Sequence, residues 1–342
     1  MQSIDHPGVA DEPTRLLPWR RLLGACATLG LVVAALLGGL YAYGGLYVVN
    51  MLFRGGGLLW SPVAADDARL SAGMSLALAD RNGVVTAGAF EWKSIAAGFD
   101  VAELPVLANG AEVDRIMLAR VDPAHFRFIV RTAPAGIRAL DEWMQALGAA
   151  LVMNGSYFAR DAQPDTPLVS AGATMGPRDY QAKHGAFVAS PQSARIHDLA
   201  NEDWRTALRG ADDAMVSYPL LIATDGAPRV TADWRWLANR SFVGQDGDGR
   251  IVLGTTADAF FSLERLANFL RTAPLGLTLA LNLDGGPVAS QGIALNGFHR
   301  KTCGRSELAA HDDRLSLLYG PRMLLQGPRC WEMPIVLAVV PK

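Results

Sequence analysis

Two polar residues, Asn282 and Asp284, interrupt the apolar run at residues 279–286 (LALNLDGG). Side chains alternate between the two faces of a strand, so the leucines share one face while these two polar residues share the other. Burying an unpaired amide or carboxylate is costly, and Gly285 and Gly286 permit a positive φ or a close backbone approach. The pattern indicates a buried strand that presents a carboxylate at the floor of a ligand site. An ordinary strand end with an Asp-Gly turn is the alternative.

The rest of the pattern mixes strands and helices. Apolar residues at helical spacing predict a helix that ends at Gly148, and Ser262 is placed to cap a second helix. Residues 241–253 predict a hairpin. Short apolar runs predict strands at 116–121, 126–130, 149–153, 220–223 and 277–283. Because strands and helices do not alternate strictly, we expect an α+β fold with a mixed or antiparallel sheet core and packed helices.

The N-terminal part predicts one transmembrane helix before this domain. Residues 22–53 contain no charged residue, and the stretch 22–40 is long enough to cross a bilayer. Arginines precede the run, and Arg54 alone follows it closely, so the positive-inside rule predicts a cytoplasmic N-terminus and an exported C-terminal part. A cleaved signal peptide is the competing interpretation, but the run is longer than an ordinary signal-peptide core and no small-x-small site follows it.

These features divide the chain into a cytoplasmic tail (1–21), a signal anchor (22–53), a linker rich in glycine and small residues (54–70) and one globular domain (71–342). Glycines in the anchor could let helices pack closely, which is a weak indication of a homo-oligomer. The formal charge of −2 and the lack of a basic run give no indication of a nucleic-acid partner.

The positions of cysteine and histidine indicate which disulfides and metal sites the chain could form. Cys303 and Cys330 fall in the exported part, where they would form one disulfide or remain two free thiols. No Cys/His pattern has zinc spacing, so we expect neither a metal nor a cofactor.

Five short motifs, taken in order, resemble the phosphodiester glycosidase domain family. They are residues 92–98 (WKSIAAG), 121–123 (VDP), 153–158 (MNGSYF), 239–244 (NRSFVG) and 282–286 (NLDGG). The family includes enzymes that remove N-acetylglucosamine from a phosphodiester-linked cap. The resemblance therefore implies a hydrolase that acts on a phosphodiester-linked glycan.

Two positions depart from the family pattern. Pro287 follows the Asp-Gly-Gly element where a third glycine and then serines are common, and proline removes a backbone donor. Ser290 is the nearest residue whose hydroxyl could replace that of a missing serine. Ser156 stands in the Asn-Gly turn where glycine is frequent.

The resemblance assigns roles to individual residues. Asp284 is the candidate nucleophile, base or oxocarbenium stabiliser, and Arg240 is the candidate phosphate clamp, because a guanidinium binds oxyanions bidentately. Asn154 and Asn282 would hydrogen-bond sugar hydroxyls or orient Asp284. The remaining candidates would contact substrate, with a proton-carrying role open to the histidine. They are Gly155, Ser156, Gly285, Gly286, Ser290 and His184.

Aromatic residues give a weaker signal. Trp204, Trp234 and Trp236 could stack on sugar rings, but packing in the core explains tryptophans of this kind more simply.

The sequence thus predicts a single-pass protein of the inner membrane whose periplasmic domain hydrolyses a phosphodiester-linked glycan of the cell envelope. A non-catalytic glycan-binding or exopolysaccharide-assembly protein with the same fold is the alternative. The second catalytic group is not identified by any motif.

Overall fold

The computed structural model describes residues 19–54, 60–81, 83–132, 138–182, 184–231, 233–311, 314–319 and 330–342. The predicted cytoplasmic tail falls almost entirely outside these residues, as does part of the predicted linker. The chain divides into two compact units, 1–54 and 55–342.

The described part of the first unit is one long helix. In the part of the chain that the structure describes, the α-helices are α1 (Trp19–Arg54), α2 (Ala72–Ala79), α3 (Leu140–Leu147), α4 (Trp204–Ala207) and α5 (Leu263–Thr272). Within α1, the segment Leu23–Ala42 is long and apolar enough to cross a membrane, and its described side chains are exposed. A signal sequence near the N-terminus can meet the same criteria of length and apolar composition, so this helix is a transmembrane candidate.

The second unit is built mainly from strands. In chain order they are β1 (Ser61–Val63), β2 (Val85–Ala87), β3 (Lys93–Ala96), β4 (Phe99–Ala108), β5 (Ala111–Val121), β6 (Phe126–Thr132), β7 (Leu151–Asn154), β8 (Leu168–Ser170), β9 (Ala173–Met175), β10 (Gly185–Ala189), β11 (Ala194–Asp198), β12 (Asp213–Ser217), β13 (Leu220–Ile222), β14 (Trp236–Ala238), β15 (Ser241–Asp246), β16 (Ile251–Thr256), β17 (Leu277–Asn282), β18 (Ser290–Leu295), β19 (Phe298–Cys303), β20 (Ser306–His311), β21 (Arg314–Tyr319) and β22 (Ile335–Pro341).

Within the described residues these strands form four sheets, in which each paired strand runs antiparallel to its neighbour. The largest has the order β13-β17-β15-β16-β5-β4-β2, with β3 also on β4. The others have the orders β19-β18-β7-β22-β6, β11-β10-β12-β8-β9 and β1-β21-β20-β14. The predicted α+β class with an antiparallel sheet core is therefore confirmed.

Strand β17 lies between two hydrophobic cores and shows the predicted alternation. Leu281 and Leu283 belong to the core that also contains strands β6, β7 and β22. Ala280 faces the other core, where α5 packs. Asn282 is fully buried on the same face as Ala280. The strand therefore ends on a buried amide, and Asp284, two residues further on, is the first half-buried position after it.

The local signals for helix ends are confirmed as well. Helix α3 ends at Gly148, which adopts a left-handed conformation with φ of 56°. The hydroxyl of Ser262 accepts a hydrogen bond from the backbone N–H of Arg265 and caps α5. Both features are local, and therefore readable from sequence alone.

Two features refine the expectations for the chain ends. Strand β1 lies inside the stretch interpreted as a linker and pairs with β21, so the folded part includes residues before Ser71. Cys303 and Cys330 form a disulfide with a Cα–Cα distance of 4.9 Å. The disulfide alternative is thus the one the structure contains.

Candidate functional site

Asp284 is the first residue after β17, in the loop that leads to β18. Its backbone N–H donates to the carbonyl of Gly155 at 3.1 Å, and its Oδ1 accepts from the backbone N–H of Gly285 at 2.8 Å. The residue is half-buried. The backbone and one carboxylate oxygen of Asp284 are therefore held in place at the edge of the core.

Asn154, at the end of β7, fastens this loop. Its Nδ2 donates to the carbonyl of Asp284 at 2.7 Å, and its Oδ1 accepts from the backbone N–H of Ser290 at 3.1 Å. The side chain thus forms hydrogen bonds to the loop on both sides of the two glycines. Its amide positions Asp284 rather than facing a substrate.

Asn282 connects the loop to a pair of tyrosines. Its Nδ2 lies 2.7 Å from Tyr157 Oη and 3.1 Å from the carbonyl of Tyr218. The two tyrosine rings stack with their centroids 4.3 Å apart. Ser217 Oγ donates to the carbonyl of Asn282 at 2.6 Å. The Oδ1 of Asn282 is buried and has no hydrogen-bond partner among the residues that the structure describes.

Arg240 is a buried cation held by backbone carbonyls. It is only 5% exposed, and its Nε and Nη2 donate to the carbonyls of Phe261 at 3.1 Å and Trp236 at 2.8 Å. Within the described ranges, no carboxylate oxygen lies close enough to Arg240 to form an ion pair. Burial lowers the pKa of the guanidinium, and nearby negative charges oppose this effect.

Glu307, on β20, is a second carboxylate at the site, and no sequence motif predicted it. It is half-buried, and its Oε1 accepts from Trp236 Nε1 at 2.5 Å. A Cβ added at Gly286 would lie 2.7 Å from its Oε2. Gly286 also has a φ of 67°, which a residue with a side chain rarely adopts.

The two glycines therefore make room for the charged groups. A Cβ at Gly285 would lie 2.9 Å from the carbonyl of Asn239 and 3.5 Å from Nη1 of Arg240. The N–H of Gly286 donates to that same Asn239 carbonyl at 2.8 Å. Because the N–H groups of both glycines are already bonded within the protein, their contribution is close approach rather than donation to a ligand.

The two carboxyl groups share a region of low polarity. Burial raises the pKa of Asp284 to about 7, the negative charge of Glu307 adds to this effect, and the N–H of Gly285 and the charge of Arg240 oppose it. Burial likewise raises the pKa of Glu307, against the hydrogen bond from Trp236 and the charge of Arg240. The site therefore contains two acids whose proton occupancies are linked through charge.

The other predicted residues lie around this centre in different roles. Ser156 is buried and accepts a hydrogen bond from Thr166 Oγ1 at 3.2 Å. A Cβ at Gly155 would lie 2.6 Å from Ile335 Cγ2, so packing explains this glycine. Ser290 is buried, and its Oγ has no hydrogen-bond partner in the described parts of the chain.

His184 lies at the rim, with its ring centroid 6.0 Å from that of Tyr218. Burial lowers its pKa, and the charge of Arg229 acts in the same direction. The structure thus brings the predicted carboxylate, guanidinium and asparagines together and adds Glu307, Tyr157 and Tyr218. Among the described residues, no three His, Cys, Asp or Glu side chains form a group that could hold a metal ion.

The comparisons with known proteins agree with the resemblance found in the sequence. Residues 147–304 match the model of the phosphodiester glycosidase family. The match includes Asp284, Arg240 and both asparagines, and it ends before Glu307. The resemblance to this family is thus confirmed over this segment, which is just under half of the chain, and it supports a glycosidase-type function. The search of curated proteins gave no match.

Several solved structures are similar to the chain at low identity. A hypothetical protein from Synechocystis is 15% identical with a TM-score of 0.48, and the match covers 75% of this chain and 64% of that one. The catalytic domain of zebrafish N-acetylglucosamine-1-phosphodiester alpha-N-acetylglucosaminidase, auto-inhibited by its pro-peptide, is 13% identical with a TM-score of 0.49, and the match covers 84% and 90%. A putative exported protein from Burkholderia pseudomallei is 10% identical with a TM-score of 0.41, and the match covers 83% and 100%.

The raised pKa of Asp284 predicts how Asp284→Asn changes stability with pH. The folded protein keeps this proton up to about pH 7, whereas the carboxyl group of the unfolded chain has its ordinary pKa of 3.8 and releases the proton near that pH. Stability therefore falls as the pH rises between these two values. The amide does not titrate, so we expect the melting temperature of the variant to exceed that of the parent by several degrees at pH 8 and to match it near pH 4.

Asp198→Asn is the control with the opposite sign. Burial alone would raise the pKa of Asp198, but hydrogen bonds, above all from Arg229, lower it to about 2. Its ionised form therefore stabilises the fold above about pH 4, and this variant should melt lower than the parent at pH 8. Calorimetry at both pH values measures the two differences. An Asp284→Asn variant that melts lower at pH 8 would contradict the assignment.

Proposed function

We propose that the protein is a membrane-anchored hydrolase that cleaves a sugar from a phosphodiester-linked glycan of the cell envelope. The observation that carries this proposal is the buried guanidinium of Arg240, which has no carboxylate partner and lies beside the loop of Asp284. A buried charge is costly unless it is paired. An anionic group of the substrate would supply the missing partner.

A phosphodiester suits the geometry around Arg240. Two of its nitrogens are bonded to the carbonyls of Phe261 and Trp236, and its Nη1 is directed towards Gly285. A guanidinium with free N–H groups binds phosphate oxygens through charge-assisted hydrogen bonds. Arg240 would therefore hold the phosphate next to Asp284 and stabilise the charge that develops on it when the glycosidic bond breaks.

The two carboxyl groups can perform the remaining chemistry. The bond between the anomeric carbon and the phosphate oxygen breaks, and a water molecule adds, giving the free sugar and a phosphate monoester. The ionised Asp284 would stabilise the positive charge at the anomeric carbon, or attack it, and Glu307 would accept the proton of the water. A phosphate is a good leaving group, so its departure depends more on a nearby positive charge than on protonation by an acid.

The tyrosine side of the site offers the surface for the cleaved sugar. Tyr157 and Tyr218 stack on each other beside Asn282, and His184 lies next to Tyr218. Burial and the nearby charge of Asp284 raise the pKa of Tyr157, so its hydroxyl stays protonated. Its O–H already donates to the carbonyl of Tyr218 at 3.0 Å, and its oxygen accepts one hydrogen bond from Asn282, so it can accept one more from a sugar hydroxyl without adding charge.

The N-terminal helix supports an envelope location. The segment Leu23–Ala42 has the length and hydropathy of a membrane span, and the arginines before it favour a cytoplasmic N-terminus. The domain would then face the periplasm, where the disulfide between Cys303 and Cys330 is stable.

Asp284→Asn is expected to lower the turnover of an aryl or nucleoside glycosyl phosphodiester by about 10²- to 10⁴-fold. The substitution preserves the shape of the side chain and removes its charge at the anomeric carbon. Release of the phosphate monoester gives the rate. Asp100→Asn, which removes a carboxylate paired with Arg120 on β4 and β5, is the matched control and should keep near-parental turnover. A glycan-binding protein would bind the substrate without any turnover in the parent.

Glu307→Gln should move the pH dependence of the reaction. The charge of Glu307 helps to raise the pKa of Asp284 to about 7, so its removal lowers that pKa. The rising limb of kcat/KM against pH, which reports ionisation of Asp284, should shift to lower pH in this variant, while kcat at the optimum falls. A lower rate with an unshifted limb would show that Glu307 does not interact with Asp284.

Arg240→Lys should abolish the stabilisation of the protein by inorganic phosphate. An anion that binds the folded state raises the melting temperature in proportion to the logarithm of its concentration above Kd, and a lysine cannot reproduce bidentate binding. Melting curves with increasing phosphate measure the effect at constant ionic strength.

The matched control for this measurement is Arg300→Lys. Arg300 is also bonded to carbonyls, those of Ala102 at 2.8 Å and Leu118 at 2.6 Å, but it lies on β19 away from Asp284. Its replacement should leave the phosphate effect intact. Equal phosphate stabilisation of the parent and of Arg240→Lys would refute the phosphate role of Arg240.

A further inference from the structure

Asn239 is a buried residue at the point where the chain passes from one sheet to another. It lies between β14, in the four-stranded sheet, and β15, in the largest sheet, and it is 0% exposed. The sequence pointed only to the residue that follows it, Arg240. A buried amide needs partners for both its N–H and its C=O groups, so the contacts of Asn239 indicate its role.

The side chain of Asn239 joins the end of β16 to the start of β20. Its Nδ2 donates to the carbonyl of Thr256 at 3.1 Å. Its Oδ1 accepts from the backbone N–H groups of Arg305 at 2.9 Å and Ser306 at 3.1 Å. Because Glu307 is the next residue, two of these three hydrogen bonds hold the backbone directly before the second carboxylate of the site.

The backbone of Asn239 holds the loop of Asp284 at the same place. Its carbonyl accepts from the N–H of Gly286 at 2.8 Å, and its own N–H donates to the carbonyl of Ser306 at 3.2 Å. One residue is therefore bonded both to the loop of Asp284 and to the strand that carries Glu307. A Cβ added at Gly286 would lie 2.7 Å from Glu307 Oε2, which places that carboxylate against the loop.

The guanidinium of Arg240 is held independently of this amide. Its nitrogens donate to the carbonyls of Phe261 and Trp236, and the backbone N–H of Arg240 donates to Thr256 Oγ1 at 2.9 Å. Loss of the Asn239 side chain would therefore release the backbone before the second carboxylate and keep the hydrogen bonds of the cation. The two effects can be measured separately.

An amide is the group that suits these three partners. An ionised aspartate would accept from both N–H groups but has no donor for the carbonyl of Thr256. Alanine would leave all three backbone groups without the partner that Asn239 supplies, and the chain before Glu307 would lose its fixed position.

On the basis of the proposed function, we propose that Asn239 is the positioning residue for Glu307. Its amide fixes the backbone of Arg305 and Ser306 and thereby sets the distance between the Glu307 carboxylate and the loop of Asp284. Asn239 acts on the reaction through that carboxylate and does not itself contact the substrate.

Asn239→Ala in the full chain tests this role through the pH dependence of kcat/KM. The charge of Glu307 raises the pKa of Asp284, and the charge of Arg240 opposes this effect. A displaced Glu307 beside an unmoved Arg240 lowers the pKa of Asp284, so the rising limb should shift to lower pH. We expect kcat at the optimum to fall by about tenfold to a hundredfold.

A double variant shows whether the effect passes through Glu307. Asn239→Ala combined with Glu307→Gln should shift the rising limb no further than Glu307→Gln alone, because both substitutions then act on the same carboxylate. Inorganic phosphate should still raise the melting temperature of Asn239→Ala, since Arg240 keeps its position. An unshifted limb in Asn239→Ala, a further shift in the double variant, or loss of the phosphate effect would overturn the positioning role.

Asp246→Asn is the matched control at the opposite end of β15. Asp246 is 5% exposed, and its Oδ1 accepts from the backbone N–H groups of Asp248 at 3.0 Å and Arg250 at 2.9 Å. This variant loses a buried charge that is paired with Arg250, so it should melt lower than the parent. Its rising limb should match that of the parent, and an equal shift in both variants would also overturn the proposal.

Failure of the proposed function gives a different result. If the parent hydrolyses no diester, carboxyl-carbon NMR measures the pKa of Asp284 directly in the parent, Asn239→Ala and Asp246→Asn. The positioning role then requires a lower pKa in Asn239→Ala alone, and equal values would refute it.

Folding of the variant is checked first. If Asn239→Ala does not fold, Asn239→Ser is measured in the same way, because its hydroxyl can bond one of the released backbone groups. Failure of both variants to fold would overturn the proposal, since Asn239 would then serve the fold rather than the position of Glu307.

Discussion

The buried charge of Arg240 is the constraint on which the site depends. A guanidinium at 5% exposure would ordinarily be paired with a carboxylate, yet here two backbone carbonyls hold it. Those carbonyls accept two hydrogen bonds from the guanidinium but do not neutralise its charge. The positive charge of Arg240 lowers the pKa values of Asp284 and Glu307 from a distance, whereas burial of each carboxyl group raises them. The result is a cation and two acids that share one region without a closed ion pair.

This arrangement requires several sheets to meet at one place. Strand β7 contributes Asn154, β17 leads into Asp284, and β20 contributes Glu307, each from a different sheet. The asparagines fasten the loop of Asp284 through hydrogen bonds to its backbone and to Tyr157. Gly285 and Gly286 then allow Arg240 and Glu307 to approach that loop closely. The polar residues that stand out in the sequence therefore mostly hold the loop in position, and the charged side chains lie around it.

The sequence predicted those parts of the molecule that are encoded locally. The alternation of residues 279–284, the end of α3 at Gly148 and the cap of α5 at Ser262 each depend on a few neighbouring residues. Glu307 could not be found in this way, because it lies on a strand with no motif and reaches the site only through the pairing of β20 with β14. The sequence also could not show that Arg240 has no carboxylate partner among the described residues, since the lack of a contact depends on the whole fold.

Strand β17 also limits how the gene can change in length. Leu281 faces one core while Ala280 faces the other, and the strand is paired on both sides, with β13 and with β15. Inserting or deleting one residue between Leu277 and Asn282 would turn every following side chain to the opposite face. The leucines would then exchange places with the polar residues, and the acid would leave the loop that Asn154 holds. Evolution can therefore replace residues in this segment, whereas an insertion or deletion there would remove the core and the site in a single step.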